Sequence, residues 1–273
     1  MKALELAAAL VLACAHVQAQ WPQSIPRDVP RTADGAVDLD APPPRTADGR
    51  PDLSGVWRQG GPAYAGARQT GFSYPGPDVY EARGLAALPY GGVPRTAYGE
   101  QLFQERQATS GRDNPRGLCL PVGLMQLHMT GAPARYIQTP RQLLILYEGN
   151  GERREIFTDG RPLPTGDVQP WWNGYSTGRW ENDVLVVETT HLRDGGWLDG
   201  MGNPLTDAAT VIERFRRTSY GRMEIDITID DRKAYLRPID IRWNQRLMPG
   251  GELIESVCNE NNKFPPPPDR GKR

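Results

Sequence analysis

The chain has 273 residues, a hydrophobic fraction of 38% and a formal net charge of −1. That length and apolar content allow one sizeable core, and the near-neutral charge excludes recognition of nucleic acid or an anionic membrane surface through bulk electrostatics. Arginine supplies nearly all of the positive charge and suits carboxylate or phosphate better than lysine does, although a GC-rich genome gives the same bias.

Lys2, the apolar run Leu6–Ala15 and the small-x-small pattern Val17-Gln18-Ala19 read as a signal peptide over residues 1–19, with Glu5 as its one blemish. The run is too short to span a bilayer, so no transmembrane segment is expected in the mature chain. The expected location is periplasmic or secreted. Val11-Leu12-Ala13-Cys14 forms an alternative lipidation box, into which Leu12 fits poorly. With Cys14 removed, Cys119 and Cys258 remain, and an oxidising compartment suggests that they pair; the alternative is two buried thiols. A disulfide closing so long a loop stabilises by on the order of 4 kcal/mol in the chain-entropy model.

Residues 20–50 read as a Pro-rich extended arm. Arg31-Thr32-Ala33-Asp34-Gly35 recurs in it as Arg45-Thr46-Ala47-Asp48-Gly49, around the linker Pro42-Pro43-Pro44. Packed structure is expected over 51–263, as one domain with an irregular N-terminal half. Val56 and Trp57 open it as a short strand. A helical turn is expected around Asp78–Leu85. A helix over Ala97–Ala108 is capped by Thr96, stopped by Ser110-Gly111, and presents Leu102 and Phe103 as its apolar face.

From Tyr136 the pattern becomes strands and hairpin turns: Leu143–Glu148, Arg154–Phe157, Tyr175–Trp180, Val184–Thr190, Thr210–Arg217, Met223–Asp230, Tyr235–Trp243 and Leu253–Cys258. In Met223–Asp230, Met223, Ile225, Ile227 and Ile229 alternate with Glu224, Asp226, Thr228 and Asp230, the period of a half-buried strand. The fold class is therefore all-β with minor α. The expected architecture is an antiparallel meander closing into a lipocalin-like barrel of about eight strands, which can hold one small ligand. An open β-sandwich shares the same periodicity. Residues 264–273, with their prolines and basic groups, read as a disordered tail.

Strand parity nominates the first candidate site. Val211, Glu213 and Phe215 share a face, as do Leu144, Leu146 and Glu148, and Leu253, Glu255 and Val257. If the apolar residues point inward, so do the carboxylates, and buried carboxylates need partners. Arg135, Arg154, Arg161, Arg179 and Arg214 are available. Such a lumen is either an acid–base site or a structural ion-pair network. The second candidate is the long loop from Asp159-Gly160-Arg161 to Tyr175, whose Trp171, Trp172 and Tyr175 either stack a ligand or plug a barrel end. The third is Thr189–Gly200. There His191 shares parity with Leu185 and Val187, beside Asp194, Asp199 and Trp197, and acts either as a base or as a core histidine. His128, between Leu127 and Met129, has no second histidine nearby in sequence. No serine-hydrolase elbow, P-loop, dinucleotide fingerprint, calcium loop or metal-ligand spacing occurs, so neither cofactor nor metal is expected.

Pro51-Asp52-Leu53-Ser54-Gly55-Val56-Trp57, Gly174-Tyr175-Ser176, Gly178-Arg179-Trp180-Glu181, Leu185-Val186-Val187-Glu188-Thr189-Thr190, Glu213-Arg214-Phe215-Arg216-Arg217 and Val257-Cys258-Asn259-Glu260-Asn261 resemble a large, mostly uncharacterised family of exported proteins of environmental bacteria. The resemblance spans most of the mature chain. It implies export and a β-rich fold and lends no reaction. In that family histidines follow the Asp-Gly-Arg-Pro run and the Gly-x-Pro segment. This chain has Leu163 at the first place and Gly202-Asn203-Pro204-Leu205 at the second, which implies a lost or changed activity if those histidines act.

Three functions follow as expectations. The first is a barrel enclosing a small, partly apolar molecule (aromatic, isoprenoid or glycosidic). Trp171, Trp172, Tyr175 and Trp197 would shape its mouth, with Arg135, Arg161 and Arg179 for polar contacts. The second is a cofactor-free lyase, isomerase or hydrolase using Glu213, Glu148, Asp199 or His191 with an arginine. The third is an interaction module working through the arm.

Overall fold

Period two along the second half of the chain becomes strands, and the strands close on themselves. The computed structural model describes residues 24–59, 80–81, 93–129 and 131–260. The expected signal peptide, the tail 264–273 and most of Asp78–Leu85 lie outside the described residues. Within that last stretch, Tyr80–Glu81 is a strand rather than a helical turn.

The elements in chain order are β1 (Gly55–Gln59), β2 (Tyr80–Glu81), α1 (Ala97–Ala108), α2 (Leu124–Met129), β3 (Ala134–Gln138), β4 (Gln142–Tyr147), β5 (Arg153–Phe157), β6 (Tyr175–Glu181), β7 (Val184–Thr190), β8 (Gly196–Trp197), β9 (Pro204–Leu205), β10 (Thr210–Ser219), β11 (Arg222–Asp230) and β12 (Ile239–Leu247). Nine of them form a closed barrel in the order β1-β3-β4-β5-β6-β7-β10-β11-β12, and β12 returns to β1 through Trp57 opposite Leu247. β2 lies on β12 beside that seam, and β8 and β9 form a separate hairpin.

One neighbouring pair departs from the expected antiparallel meander. β5 and β6 run parallel, with Ile156 opposite Ser176 and Phe157 opposite Thr177. Closure requires this: directions that alternate around an odd ring cannot match at the seam, so one parallel pair must occur. The loop between β5 and β6 carries the chain from one end of the barrel back to the other, as a parallel connection needs.

Two expected strands differ. Tyr235–Trp243 begins later, at Ile239, because Ala234 N and Tyr235 N are spent on a turn to Asp231 O and because Pro238 has no N–H to donate. Leu253–Cys258 is not a strand, since β1 already fills the free edge of β12. The segment instead passes β4, where Ile254 N donates to Glu148 Oε2 at 3.1 Å, and reaches the Cys119–Cys258 disulfide, which links positions 139 apart.

The arm is not uniformly extended. Each repeat copy closes into the same turn, with Arg31 bridged to Val37, Arg45 bridged to Pro51, and each arginine donating to the glycine carbonyl four residues on. The arm lies against the turn ends of the barrel: Tyr220 N and Gly221 N donate to Ala41 O and Leu39 O at 2.7 and 2.8 Å. Buried Arg217 latches it by donating to the carbonyls of Asp52, Ser54, Ser219 and Tyr220, and burial lowers its pKa to about 10.

The opposite end is covered by α1, α2 and the β8–β9 hairpin. Thr96 Oγ1 caps α1 by accepting from Gly99 N at 3.1 Å. The face of α1 that meets the protein is Gly99 and Arg106, while Leu102 and Phe103 are only half-buried. Among the described residues no helix is long and apolar enough to cross a membrane.

Candidate functional site

The inward positions of the barrel are mostly apolar: Trp57, Leu143, Ile145, Ile156, Leu185, Val187, Val211, Phe215, Ile225, Ile227 and Trp243 are all buried. Leu124, Met125 and Leu127 of α2 belong to the same cluster, so this short helix packs into the barrel. Among these groups sits a set of polar side chains contributed by neighbouring strands.

Glu213 points inward from β10, between Val187 on one side and Ile227 on the other, and is completely buried. Arg154, inward on β5, donates through Nη1 to Glu213 Oε1 at 3.0 Å and through Nη2 to Oε2. The same guanidinium donates to Ser176 Oγ of β6 at 3.2 Å and to Thr189 Oγ1 of β7 at 3.0 Å; those two hydroxyls are 2.9 Å apart. From α2, His128 Nε2 lies 2.8 Å from Glu213 Oε1. Burial acts to raise the Glu213 pKa, but the Arg154 charge and the hydrogen bonds from His128 and Arg154 outweigh it and hold the carboxyl below its usual range. An ionised carboxylate only accepts, so His128 Nε2 carries the proton in this bond, and in the neutral ring Nδ1 then holds the lone pair.

Tyr136 of β3 and Tyr147 of β4 complete the set. Burial raises both phenols above their ordinary range, and both feel Arg154 and Glu213 electrostatically. The Tyr136 hydroxyl, His128 Nδ1 and Gln126 Nε2 are buried and have no hydrogen-bond partner among the described residues, whereas the Tyr147 hydroxyl lies against the Arg154 guanidinium. Buried polar atoms without a partner are costly unless something small, a water molecule included, completes them. At the rim above, Glu152 Oε1 accepts from Val122 N at 2.8 Å, and burial raises its pKa.

The expected convergence of three carboxylates does not occur. Glu213 is inside. Glu148 is on the other parity, because the inward face of β4 is Leu143, Ile145 and Tyr147. Glu255 lies on the irregular C-terminal segment and is exposed. Both line an outer cavity of about 450 Å³ against β4. Asp199 is buried, but in the β8–β9 hairpin, where it accepts from Met201 N, Asn203 N and Asn203 Nδ2 at 2.9, 3.1 and 2.6 Å. His191 follows β7 with φ +55°, and its Nδ1 is 2.8 Å from Thr190 Oγ1; among the described residues no hydrogen bond joins it to Glu213. Arg179 is exposed and pairs with Glu181.

The aromatic loop does not form a mouth. Phe157 and Tyr175 alternate with inward Ile156 and Ser176, so they face out. Trp171, 44% exposed, stacks on Tyr175 at 5.3 Å, and Tyr175 meets Phe157 at the same centroid distance. Arg161 covers Phe157 at 3.9 Å and pairs with Asp159. Trp172 is half-buried under Arg193, and Trp197 is buried under Arg106 in the cap. Arg135 faces outward and donates to Gly251 O at 3.4 Å.

Sequence reasoning missed His128, Tyr136, Tyr147, Ser176 and Thr189. The parity of Glu213 and the need of a buried carboxylate for a cation pointed to Arg154, but nothing local marked His128, whose helix is buried all round. Among the described residues no group of three or more His, Cys, Asp or Glu could hold a metal ion. Compared with known proteins, the chain matches no family model and no curated protein.

Proposed function

We propose that this chain is an exported, lipocalin-like barrel that binds a small, partly apolar molecule in the upper part of its interior, beneath α2. The observation that carries this reading is the two orphaned polar atoms, the Tyr136 hydroxyl and His128 Nδ1, in the surroundings of the Arg154–Glu213 pair, inside otherwise apolar walls. Binding sites for small molecules share that composition: an apolar lining with a few convergent polar groups. The raised tyrosine pKa values keep both hydroxyls as donors, so the ligand presents a carbonyl or hydroxyl oxygen to them. The signal-like N-terminus, the disulfide and the family resemblance support export.

The test is native mass spectrometry of the purified protein after exposure to a pool of small aromatic, isoprenoid and glycosidic metabolites. A retained species, weakened by roughly tenfold or more in Tyr136→Phe/Tyr147→Phe, is the expected result. No retained species contradicts the reading.

A further inference from the structure

The outer cavity against β4 has two walls of different build. One is the barrel, through Leu146 of β4 and through Glu148 and Glu152 in the turn into β5. The other is the C-terminal strap, residues 252–258, through Leu253, Glu255 and Val257. The near end of the strap is anchored: Met248 N donates to Val56 O at 2.8 Å, and Gly251 N to Met248 O at 2.9 Å. The strap itself belongs to no strand. Among the described residues one hydrogen bond joins it to the barrel, from Ile254 N to Glu148 Oε2. Its Ile254 and Val257 are 56% and 45% exposed. Glu148 and Glu255 line the cavity from opposite walls, with no Lys, Arg or His in the lining, so their charges push the walls apart. Fixing the backbone of such a segment costs more conformational entropy than one hydrogen bond and a few half-exposed side chains return.

The Cys119–Cys258 disulfide fastens the far end. Its two cysteines stand on unequal ground. Cys119 lies in a run of turns, where Leu118 N and Leu120 N donate to Pro115 O at 3.1 and 2.9 Å. That run leads through Val122, held by Glu152 Oε1, into Leu124 and Met125 of the core. Cys258 lies on the strap. Cutting the bond therefore frees the strap and leaves the segment around Cys119 in place. Both cysteines are half-buried rather than sealed in the core, so a small dithiol can reach them.

We propose that the strap is a redox-released wall: reduction of Cys119–Cys258 by a dithiol frees residues 252–258 and opens the outer cavity, while the barrel stays closed. One thiolate of the dithiol attacks a cysteine sulfur, the S–S bond breaks, and the other cysteine leaves as a thiolate. The second thiol of the reductant then displaces the first cysteine from the mixed disulfide. The dithiol ends as its own disulfide, and its two protons end on Cys119 and Cys258. The cavity thus has both walls only in the oxidised protein. The inference is independent of what enters the barrel interior.

The test treats the folded, oxidised protein with dithiothreitol in native buffer and then with a glutamyl endopeptidase. Cleavage after Glu252 and Glu255 is followed by mass spectrometry, and alkylation counts the free thiols. Near-ultraviolet circular dichroism reports on the barrel through its buried Trp57 and Trp243. Reduction is expected to speed cleavage at the two strap sites by roughly tenfold or more, with the tryptophan signal kept. Cys258→Ser should show the same fast cleavage with no reductant. Three results would each overturn the inference. The first is a disulfide that the dithiol leaves intact in the folded protein. The second is an unchanged cleavage rate once both thiols are free, which would mean that packing holds the strap. The third is loss of the tryptophan signal together with strap protection, which would make the disulfide a staple of the whole fold.

Discussion

At the scale of single residues, Glu213 and Arg154 are two buried charges that depend on each other. Removing one partner of such a pair strands the other charge in an apolar interior, which typically costs about 3–5 kcal/mol. Glu213→Gln is therefore expected to destabilise by that amount in urea unfolding at neutral pH; a loss below about 1 kcal/mol would mean that the pair is open to water. The pH dependence has a definite sign. The folded pKa is depressed, so the stabilisation is complete above the unfolded value of about 4.3. It is lost as the pH falls from there toward about 2. The wild type should lose stability through this window more steeply than Glu213→Gln.

At the scale of elements, the well-marked hairpins were legible because their alternation, their turn residues and their apolar faces agree. β10 is the clearest case: Val211, Glu213 and Phe215 fixed which way the carboxylate faces. β4 was not decidable, because Leu143, Leu144, Ile145 and Leu146 offer two apolar faces; the inner one went to Leu143, Ile145 and Tyr147, and the other is half-buried. α2 was illegible for a related reason. A six-residue helix that is buried on nearly every side shows no period, so nothing in the sequence singled out His128. The boundaries of α1 were legible from its cap, but its buried face was not. A Cβ at Gly99 would sit 2.2 Å from Ala234 O, so the helix is held close to the turn before β12 by a missing side chain rather than by Leu102 and Phe103. Gly99→Ala should lower the thermal midpoint, because a steric cost of about 1–3 kcal/mol exceeds the gain of at most about 1 kcal/mol from replacing glycine inside a helix. A raised midpoint would contradict that packing.

At the scale of the whole molecule, the barrel is closed by a pairing that no local pattern announced. The parallel contact of β5 and β6 covers two residue pairs and follows from the odd ring, not from any sequence signal. The disulfide was legible from the cysteine count and the signal-like N-terminal sequence, and it ties the segment before α2 to the C-terminal strap outside β4. Closure gives the strands an inside, and α2 closes that inside over the Glu213–Arg154–His128 cluster. The most direct test is the imidazole region of a long-range ¹H–¹⁵N NMR spectrum at neutral pH. The account predicts that the Nε2–H proton of His128 is visible, exchanges slowly with water, and disappears into solvent exchange in Glu213→Gln. Rapid exchange of that proton in the wild type would show that the cluster is not sealed inside the barrel, and would contradict the account.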